Sequence, residues 1–451
     1  MAASVHVCLL STSDTDLLSA RASGVSFALA NPARSTDTEL DEVIEGADLV
    51  VVRQLGSPHD LWHGLSAVRA SGTPLVVLGG EQQPSAELME LSTVPIGVAA
   101  EAHRYLAEGG PANLAQMHAF LSDTVLLTGE GFEPPAVVPS WGFAERSAPA
   151  DASLPKVGIL YYRAHQTSGN TAFAHALADA VDATGRGVGV PIFAGSLRSA
   201  PDDLFDALGQ LDALVVTVLA AGGSVPASVS AGGDDETWDV ERIAALDIPV
   251  LQGLCLTSSR EEWEANDDGV TPLDSANQIA IPEFDGRIIT APFSFKEIDD
   301  EGLPRYVADR ERCARVATIA VNHAHLRHVP NAEKKIALVL SAYPTKHSRI
   351  GNAVGLDTPV STIRLLRRLR DAGYDLGGPG AVPGLDLTDD TEAGDTLIHA
   401  MIAAGGQDEE WLTSGQLTDA HVRISTEQYR RWTAHLPQAL RDEMTEAWGE
   451  A

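Results

Sequence analysis

Short apolar runs alternate with helical patterns through the first part of the chain. Three of these runs are typical of the buried strands of a parallel sheet, because they are apolar at consecutive positions and therefore on both faces. They are VHVCLL (5–10), ADLVVVRQLG (47–56) and TPLVVLGG (73–80). Residues 100–127 have helical patterns on both sides of Gly109-Gly110-Pro111, where the proline suits the first turn of a second helix. The pattern predicts an α/β domain over residues 1–130.

The pattern restarts twice further along the chain. A strand is predicted at 156–165 and another at 334–344, and the second is followed by a helix and a short strand near Tyr374. Residues 221–236 are of low complexity and predict a surface loop. The restarts predict tandem doubly wound, flavodoxin-like parallel-sheet domains of the α/β class with a helical C-terminal segment. The predicted parts are an N-terminal α/β domain (1–130), a linker (131–155), a second α/β domain (156–330) and an incomplete third part (331–451), first α/β and then helical.

The composition is acidic, because 63 Asp and Glu residues against 31 Lys and Arg give a formal net charge of −32. Nucleic acids and anionic membranes attract basic surfaces, so the charge argues against both as partners. The three cysteines are far apart and lack metal-binding spacing, which suits a reducing compartment. The N-terminus lacks the basic region of a signal peptide, and no run approaches the roughly 18 to 20 apolar residues of a membrane span. We therefore expect a cytoplasmic protein.

The common catalytic motifs are absent from the sequence. No lysine follows a glycine, so the chain has no P-loop and is not itself a P-loop ATPase. No G-x-S-x-G or H-E-x-x-H motif occurs either. GRGVGVPI (185–192) has dinucleotide-like glycines, but it precedes a strand instead of following one.

A polar, partly cationic loop follows the predicted strand at 334–344, where open α/β sheets bind ligands. It contains Tyr343, Lys346, His347, Arg349 and Asn352. One interpretation is structural: Asp357 or Thr358 caps the next helix, and Pro359 fits its first turn. The other is that Lys346, His347 and Arg349 face an anionic ligand or a metal. A histidine there could accept a proton from a ligand or hold a divalent ion.

A second constellation, YYRAHQTSGNTAFAHAL (161–177), again joins a strand end to a helix start. Arg163 and His165 alternate with their neighbours, so on an extended strand end they would share one face. Asn170 or Thr171 would cap the following helix. The pair is either a surface arginine with a hydrogen-bonded histidine or a carboxylate-binding pair, for which arginine offers two parallel donors.

A third constellation is NHAHLRH (322–328). On a helix His325 and His328 are neighbours, but His323 points elsewhere, which is unfavourable for a shared metal ion. Basic side chains in the last turn before Pro330 are ordinary partners of a negative helix terminus, and we prefer that interpretation.

Residues 330–377 closely resemble the large-subunit family shared by aerobic cobaltochelatase and magnesium chelatase. GNAVGLDTPVS (351–361) and PEFDGRI (282–288) are specific in combination. Further similar segments are spread over nearly the whole chain, and the GLDTP run together with LYYRAH (160–165) favours the cobalt branch. The family's large subunit is more than twice as long as this chain, so the resemblance implies an N-terminal portion that is inactive alone.

The resemblance implies a ligase that forms nitrogen–metal bonds as part of a complex. It would insert Co²⁺, a substrate, into the corrinoid tetrapyrrole hydrogenobyrinic acid a,c-diamide in cobalamin biosynthesis. ATP would be hydrolysed by a separate AAA+ subunit, and an accessory chelatase subunit would complete the complex. The absence of a P-loop agrees with that division.

Metal insertion needs a base for the ring nitrogens and cations for the peripheral carboxylates. His347 is the predicted catalytic residue. The predicted substrate-binding residues are Arg163, His165, Lys346, Arg349, Asn352 and Asp357, and no metal-ligating residue is assigned. Two alternatives stay open: magnesium insertion into protoporphyrin IX, and a non-catalytic module that docks the ATPase subunits.

Overall fold

The computed structural model describes residues 5–55, 64–81, 83–146, 151, 153–198, 200–217, 224–226, 236–238, 240–300, 302–341, 350–404, 413–415 and 423–450. The chain forms two compact units, Met1–His328 and Val329–Ala451. The first unit contains both large sheets. Among the described helices, none combines the length and the apolar character that a bilayer crossing requires.

The first sheet has four parallel strands in the order β2-β1-β3-β4. They are β1 (Val7–Ser11), β2 (Phe27–Ala30), β3 (Leu49–Gln54) and β4 (Leu75–Gly79). Its helices are α1 (Asp14–Ala22), α2 (Asp37–Ile44), α3 (Leu65–Ser71), α4 (Ala86–Met89), α5 (Ile96–Glu108) and α6 (Pro111–Leu126). Each face of β1, β3 and β4 packs into a separate apolar cluster, which is why these runs are apolar throughout.

The predicted helix break at Gly109-Gly110-Pro111 is confirmed. Gly109 and Gly110 have φ angles of 72° and 89°, which glycine adopts without a steric penalty. Pro111 then occupies the first turn of α6, where its missing N–H has no intrahelical acceptor to lose. The break lets α5 and α6 fold back on the same apolar cluster.

The second sheet has seven strands in the order β13-β12-β11-β8-β6-β7-β5. They are β5 (Trp141–Phe143), β6 (Lys156–Tyr162), β7 (Val188–Ala194), β8 (Ala213–Val216), β11 (Val250–Leu256), β12 (Ile288–Ile298) and β13 (Pro304–Ala308), while β9 (Ser224–Pro226) and β10 (Glu236–Trp238) form a separate antiparallel pair. The five central strands are parallel, and the edge strands β5 and β13 are antiparallel to their neighbours. β5 lies inside the predicted linker, β9 lies inside the predicted surface loop (221–236), and β10 begins at the last residue of that loop.

Helices of the second sheet pack on both of its faces. They are α7 (Arg163–Ser168), α8 (Ala172–Ala183), α9 (Asp202–Leu208), α10 (Glu241–Ala244), α11 (Arg260–Glu264), α12 (Pro272–Asp274), a π-helix (Ser275–Ala280), α13 (Ile281–Phe284) and α14 (Arg310–Leu326). α8 and α14 cover one face, and α9 and α10 cover the other. The mixed α/β class is therefore confirmed.

The second unit is helical in its described part. Its helices are α15 (Thr358–Asp371), α16 (Asp390–Ala404), α17 (Thr426–Thr433) and α18 (Gln438–Trp448). The strands predicted at 334–344 and near Tyr374 are wrong for the described residues, since 334–341 and 374–376 belong to no strand. A strand needs a second strand to take its backbone hydrogen bonds, and the described part of this unit supplies none.

Candidate functional site

The second sheet has a topological switch point between β6 and β8. The chain leaves β6 for β7 on one side and then returns to β8 on the other, so the connections after β6 and β8 diverge. Ligands of open α/β sheets bind in the crevice that such a divergence opens at the carboxyl ends of the strands. Tyr162 ends β6 here, and the Thr217 hydroxyl follows β8 and donates to the carbonyl oxygen of Leu160 at 2.9 Å.

The strand-end geometry predicted for Arg163 and His165 is wrong. β6 ends at Tyr162, and α7 begins at Arg163 without an intervening loop. Residues two apart on a helix are about 200° apart around its axis, so the two side chains do not share a face. Two alternating residues are too short a pattern to distinguish a strand end from one turn of helix.

Arg163 holds the connection before β6 against the first sheet's helices. Its Nε donates to the carbonyl oxygen of Pro139 at 2.9 Å. Its Nη2 donates to the carbonyl oxygens of Glu108 and Val138 at 3.0 and 3.1 Å. These donors bind backbone carbonyl oxygens. The two parallel guanidinium donors that were predicted to bind a substrate carboxylate therefore face the protein. The substrate-binding role of Arg163 stays a prediction.

His165 lies among aromatic rings at the same edge. Its ring centroid is 5.2 Å from those of Phe173 and Tyr306, both in edge-on geometry, and 6.3 Å from that of Tyr162. Burial lowers the pKa of His165 to about 4, and the positive charge of Lys296 adds to the shift. The imidazole is therefore neutral at physiological pH, with one ring nitrogen able to accept a proton.

The loop after α7 joins this edge to β13. The Asn170 side-chain oxygen accepts a hydrogen bond from the Tyr306 backbone N–H at 3.1 Å. Thr171 is the residue before α8, as predicted, but its side chain makes no capping hydrogen bond. Burial raises the pKa of the Tyr306 phenol, so this ring stays protonated. Asn170 thus serves to fix the wall beside His165 and not to cap the helix.

A buried ion pair lies directly before β12, within the PEFDGRI segment. The Arg287 Nη2 donates to the Asp285 carboxylate at 2.6 Å, and both side chains are fully buried. Arg287 Nη1 also donates to the side-chain oxygen of Gln252, at 2.8 Å. The side-chain oxygen of Gln278, on the π-helix, accepts a hydrogen bond from the Gln252 side-chain amide at 3.3 Å. The Gln278 amide in turn donates to the carbonyl oxygen of Cys255 in β11. Sequence reasoning missed this network, whose only local signal is an Asp-Gly-Arg turn before a strand.

The polar loop of the second unit is described only in part. Lys346, His347 and Arg349 lie outside the described residues. Asn352 is exposed. The Asp357 carboxylate accepts the Val360 N–H at 3.1 Å, so the predicted cap of α15 is confirmed, with Pro359 in its first turn. The substrate-binding roles of Asn352 and Asp357 stay predictions.

The histidines at the end of α14 have partners within the first unit. His325 Nε2 lies 3.1 Å from the Arg186 carbonyl oxygen, and His328 Nε2 lies 2.7 Å from the Asp212 carboxylate. Among the described residues, no group of three His, Cys, Asp or Glu side chains is placed to hold a metal ion.

The switch point of the first sheet is filled by protein groups. Arg53, at the end of β3, donates to the Asp16 carboxylate at 2.7 Å, and both side chains are buried. It also donates to the carbonyl oxygens of Gly80 and Leu106, at 3.0 and 3.1 Å. The Ser11 hydroxyl donates to the other Asp16 oxygen at 2.7 Å. Of the two edges, the second therefore offers the better candidate for a ligand site.

A four-stranded parallel sheet and a seven-stranded mixed sheet, both with polar side chains at the carboxyl ends of their parallel strands, make this an α/β protein. The family model described as CobN/Magnesium Chelatase matches residues 103–451, which is more than half of the chain. This chain belongs to the CobN/magnesium chelatase family.

Similar proteins include both branches of this family. The chain is 32% identical to the aerobic cobaltochelatase subunit CobN of Pseudomonas aeruginosa, over 94% of this chain and 34% of that protein. It is 26% identical to the chloroplastic magnesium-chelatase subunit ChlH of Oryza sativa subsp. indica, over 66% of this chain and 20% of that protein. The structure of the catalytic subunit of cobaltochelatase from Mycobacterium tuberculosis matches with a TM-score of 0.79 and 52% identity, over 99% of this chain and 36% of that one. The chain thus spans about a third of the length of its cobaltochelatase relatives.

Proposed function

We propose that this chain forms part of the large subunit of a cobaltochelatase that inserts Co²⁺ into hydrogenobyrinic acid a,c-diamide during cobalamin biosynthesis. The observation that carries the proposal is the 52% identity, over 99% of the chain, to the catalytic subunit of a cobaltochelatase. The lower identity and coverage of the magnesium-chelatase relative favour the cobalt branch. The strand order β2-β1-β3-β4 and the central order β7-β6-β8-β11-β12 support the flavodoxin-like assignment of both sheets.

The proposed reaction is the formation of nitrogen–metal bonds by a complex in the cytoplasm. As the family resemblance implies, a separate AAA+ subunit hydrolyses ATP in this proposal and an accessory chelatase subunit completes the assembly, which agrees with the absence of a P-loop from this sequence. Metal insertion requires loss of the proton that the ring nitrogens of the corrin carry, so a positioned base is needed near them, and a neutral imidazole can serve as that base. The chain alone, at about a third of its relatives' length, should not turn over.

Two groups of side chains are proposed to contact the macrocycle. At the edge of the second sheet, neutral His165 is a proton acceptor, and Lys296 is a cation with no ion-pair partner among the described residues. In the second unit, His347 is the proposed base. Lys346, Arg349, Asn352 and Asp357 are proposed to bind the peripheral groups of the corrinoid. Arg163 holds the connection before β6 through its backbone contacts, and its substrate-binding role stays a prediction.

The test is a titration of the 451-residue chain with hydrogenobyrinic acid a,c-diamide and, separately, with protoporphyrin IX. We expect the visible absorbance of the corrinoid precursor to shift on binding and that of the porphyrin to stay unchanged. Replacing His165 by alanine should weaken the binding, whereas His325→Ala, which removes a histidine bonded to backbone, should not. A shift with the porphyrin alone would instead support the magnesium branch.

The docking alternative is tested in the assembled complex. If the chain serves only to recruit the ATPase subunit, then it should co-purify with that subunit, and neither macrocycle should bind. In the complete large subunit, His347→Ala should abolish cobalt insertion while the complex still assembles. Loss of assembly in that variant would contradict the catalytic role of His347 and support docking.

A further inference from the structure

Lys296 and His165 are linked through Tyr306 at the carboxyl edge of the second sheet. Lys296 on β12 lies directly opposite Tyr306 on β13, and cross-strand partners direct their side chains to the same face, with Cβ atoms about 4.5–5.5 Å apart. The Tyr306 ring is in turn 5.2 Å, centroid to centroid, from that of His165. Burial lowers the pKa of His165 to about 4, and the Lys296 charge lowers it further, so the ammonium is near enough to act on the imidazole.

The Lys296 charge has no counter-charge in the described part of the chain. No described carboxylate pairs with its ammonium. The acidic residues that follow it are engaged elsewhere: the Glu297 carboxylate accepts the Arg260 N–H at 2.8 Å, and Asp299 pairs with Arg21 at 2.7 Å. This cation is therefore uncompensated by described residues, although the chain has a formal net charge of −32.

The groups around His165 do not supply that counter-charge either. Three aromatic rings face it from β6, α8 and β13, namely Tyr162, Phe173 and Tyr306. Burial raises the pKa of the Tyr306 phenol, which stays neutral. The Asp274 carboxylate acts on Tyr306, but it is buried and accepts hydrogen bonds from the Thr257 N–H and the Thr271 hydroxyl, at 3.2 and 3.1 Å.

We propose that Lys296 anchors a carboxylate beside His165, so that this edge binds an anion and a proton together. The inference rests on the proposed function for the identity of the ligand, because the peripheral carboxylates of the corrinoid are the proposed occupants. Lysine holds a carboxylate as a compact point charge with three donors. Lys296 and His165 are both half-buried, so neither is sealed from the solvent.

An anion at Lys296 changes the basicity of His165. The free ammonium disfavours the imidazolium, whereas a carboxylate bound to it cancels that repulsion and adds an attraction. An opposite charge within about 4–6 Å shifts a pKa by about one unit or more. A rise of about one unit leaves the imidazole neutral at pH 7 and makes it about a tenfold stronger base. The carboxylate of the substrate thereby strengthens the base that its own ring nitrogens require.

The first test uses the full 451-residue chain and sodium propanesulfonate. This anion resembles a propionate side chain but stays ionised at pH 4. Proton NMR gives the midpoint of the His165 resonance, which is identified as the one that His165→Phe lacks. We expect the sulfonate to raise the midpoint by about one unit and, by linkage, to bind about tenfold more tightly when His165 is protonated. A midpoint that stays constant as sulfonate replaces chloride at fixed ionic strength would overturn the proposal.

Three variants separate an anchoring lysine from general screening by salt. In Lys296→Gln the charge is absent, so the midpoint should start higher and the sulfonate should leave it unchanged. Lys296→Arg keeps a cation in place and should keep the response. The matched control is Lys156→Gln, because Lys156 is an exposed lysine at the start of β6, at the opposite end of the same sheet, and this variant should respond as the parent does. Circular dichroism checks that each variant is folded. An equal response in Lys296→Gln and the parent would show screening alone and refute the anchor.

The corrinoid titration then gives a separate outcome. Lys296→Gln should weaken binding of hydrogenobyrinic acid a,c-diamide about tenfold, and Lys156→Gln should leave it unchanged. Unchanged corrinoid binding by Lys296→Gln would contradict the anchor and leave the proposed function standing. Absence of corrinoid binding by the parent chain, with the sulfonate response intact, would contradict the proposed function and leave the anion site standing. The failure of this proposal and that of the proposed function are therefore distinguishable.

Discussion

Lowering the pH should reduce the free energy of unfolding, in part because of His165. The variant His165→Phe should not show the part of this loss that comes from His165. In the folded chain, burial lowers the pKa of His165 to about 4, and Lys296 adds to the shift. An unfolded histidine has a pKa of about 6.5, so the unfolded state takes up the proton first as the pH falls. The stabilisation that a neutral His165 provides is therefore complete above about pH 6.5 and is lost progressively down to about pH 4.

The two pKa values set the size of this effect. A difference of about 2.5 pH units corresponds to about 3 kcal/mol of unfolding free energy. Phenylalanine keeps the edge-on contacts with Phe173 and Tyr306, both at 5.2 Å, and does not titrate. Between pH 7 and pH 4 the variant should thus lose about 3 kcal/mol less stability than the parent chain. Carboxylates and the other histidines titrate in both proteins, so they cancel in the comparison.

Two measurements test this prediction. Urea unfolding at a series of pH values gives the difference in stability between parent and variant. Proton NMR of the imidazole rings identifies His165 as the resonance that the variant lacks, and this resonance should show no midpoint above about pH 5. Lys296→Gln removes the neighbouring positive charge and should raise the midpoint. A midpoint near pH 6.5, or parallel stability curves for parent and variant, would refute the reasoning.

Substitutions at three other places should change the stability of the fold by the following amounts. Asp285→Asn leaves a fully buried arginine without its counter-charge and should cost about 3–5 kcal/mol in urea unfolding; a loss below about 1 kcal/mol would contradict the buried ion pair. Asp357→Ala removes a helix cap and should cost about 1 kcal/mol, which Asp357→Asn largely restores. Gly189→Ala places a Cβ 2.5 Å from a backbone oxygen and should lower the melting temperature, whereas Gly97→Ala, in open space on α5, should not.

Three of the four strands of the first sheet were predictable because their pattern is local, whereas β2 was not predicted. The runs at 5–10, 47–56 and 73–80 are apolar at consecutive positions. β3 and β4 lie within their runs and β1 ends one residue beyond its run, and all three have both faces buried. The helix break before Pro111 was predictable for the same reason, because glycine and proline impose their backbone preferences without help from distant residues.

Elements that depend on distant pairing were not predictable. β5 lies in a segment rich in proline and small residues, and it is a strand because β7, about 50 residues away, takes its hydrogen bonds. Residues 334–341 are the opposite case. Their sequence favours a strand, but the described part of the chain offers no second strand to pair with them. Strand propensity describes how well a residue fits a sheet, and it does not supply the sheet.

The chemistry of His165 was also beyond sequence reasoning. Its aromatic neighbours are Tyr162, Phe173 and Tyr306, and the last is more than a hundred residues away along the chain. The nearby charge comes from Lys296, on the antiparallel partner of Tyr306 in the sheet. Sequence reasoning selected this histidine from a wrong strand-end geometry, while its neutral state follows from contacts that only the folded chain assembles.

The carboxyl edges of the two sheets in the first unit differ in what their arginines contact. At the first edge the Arg53 guanidinium takes the place that a ligand would occupy, because its donors bind Asp16 and the carbonyl oxygens of the neighbouring loops. At the second edge the arginine next to the switch point, Arg163, donates to the backbone of the preceding connection, and His165 lies nearby within the influence of the Lys296 charge. A neutral proton acceptor beside a cation suits an anionic macrocycle that must lose ring protons. The same fold thus closes one switch point with its own arginine, and the other is where we propose the ligand site.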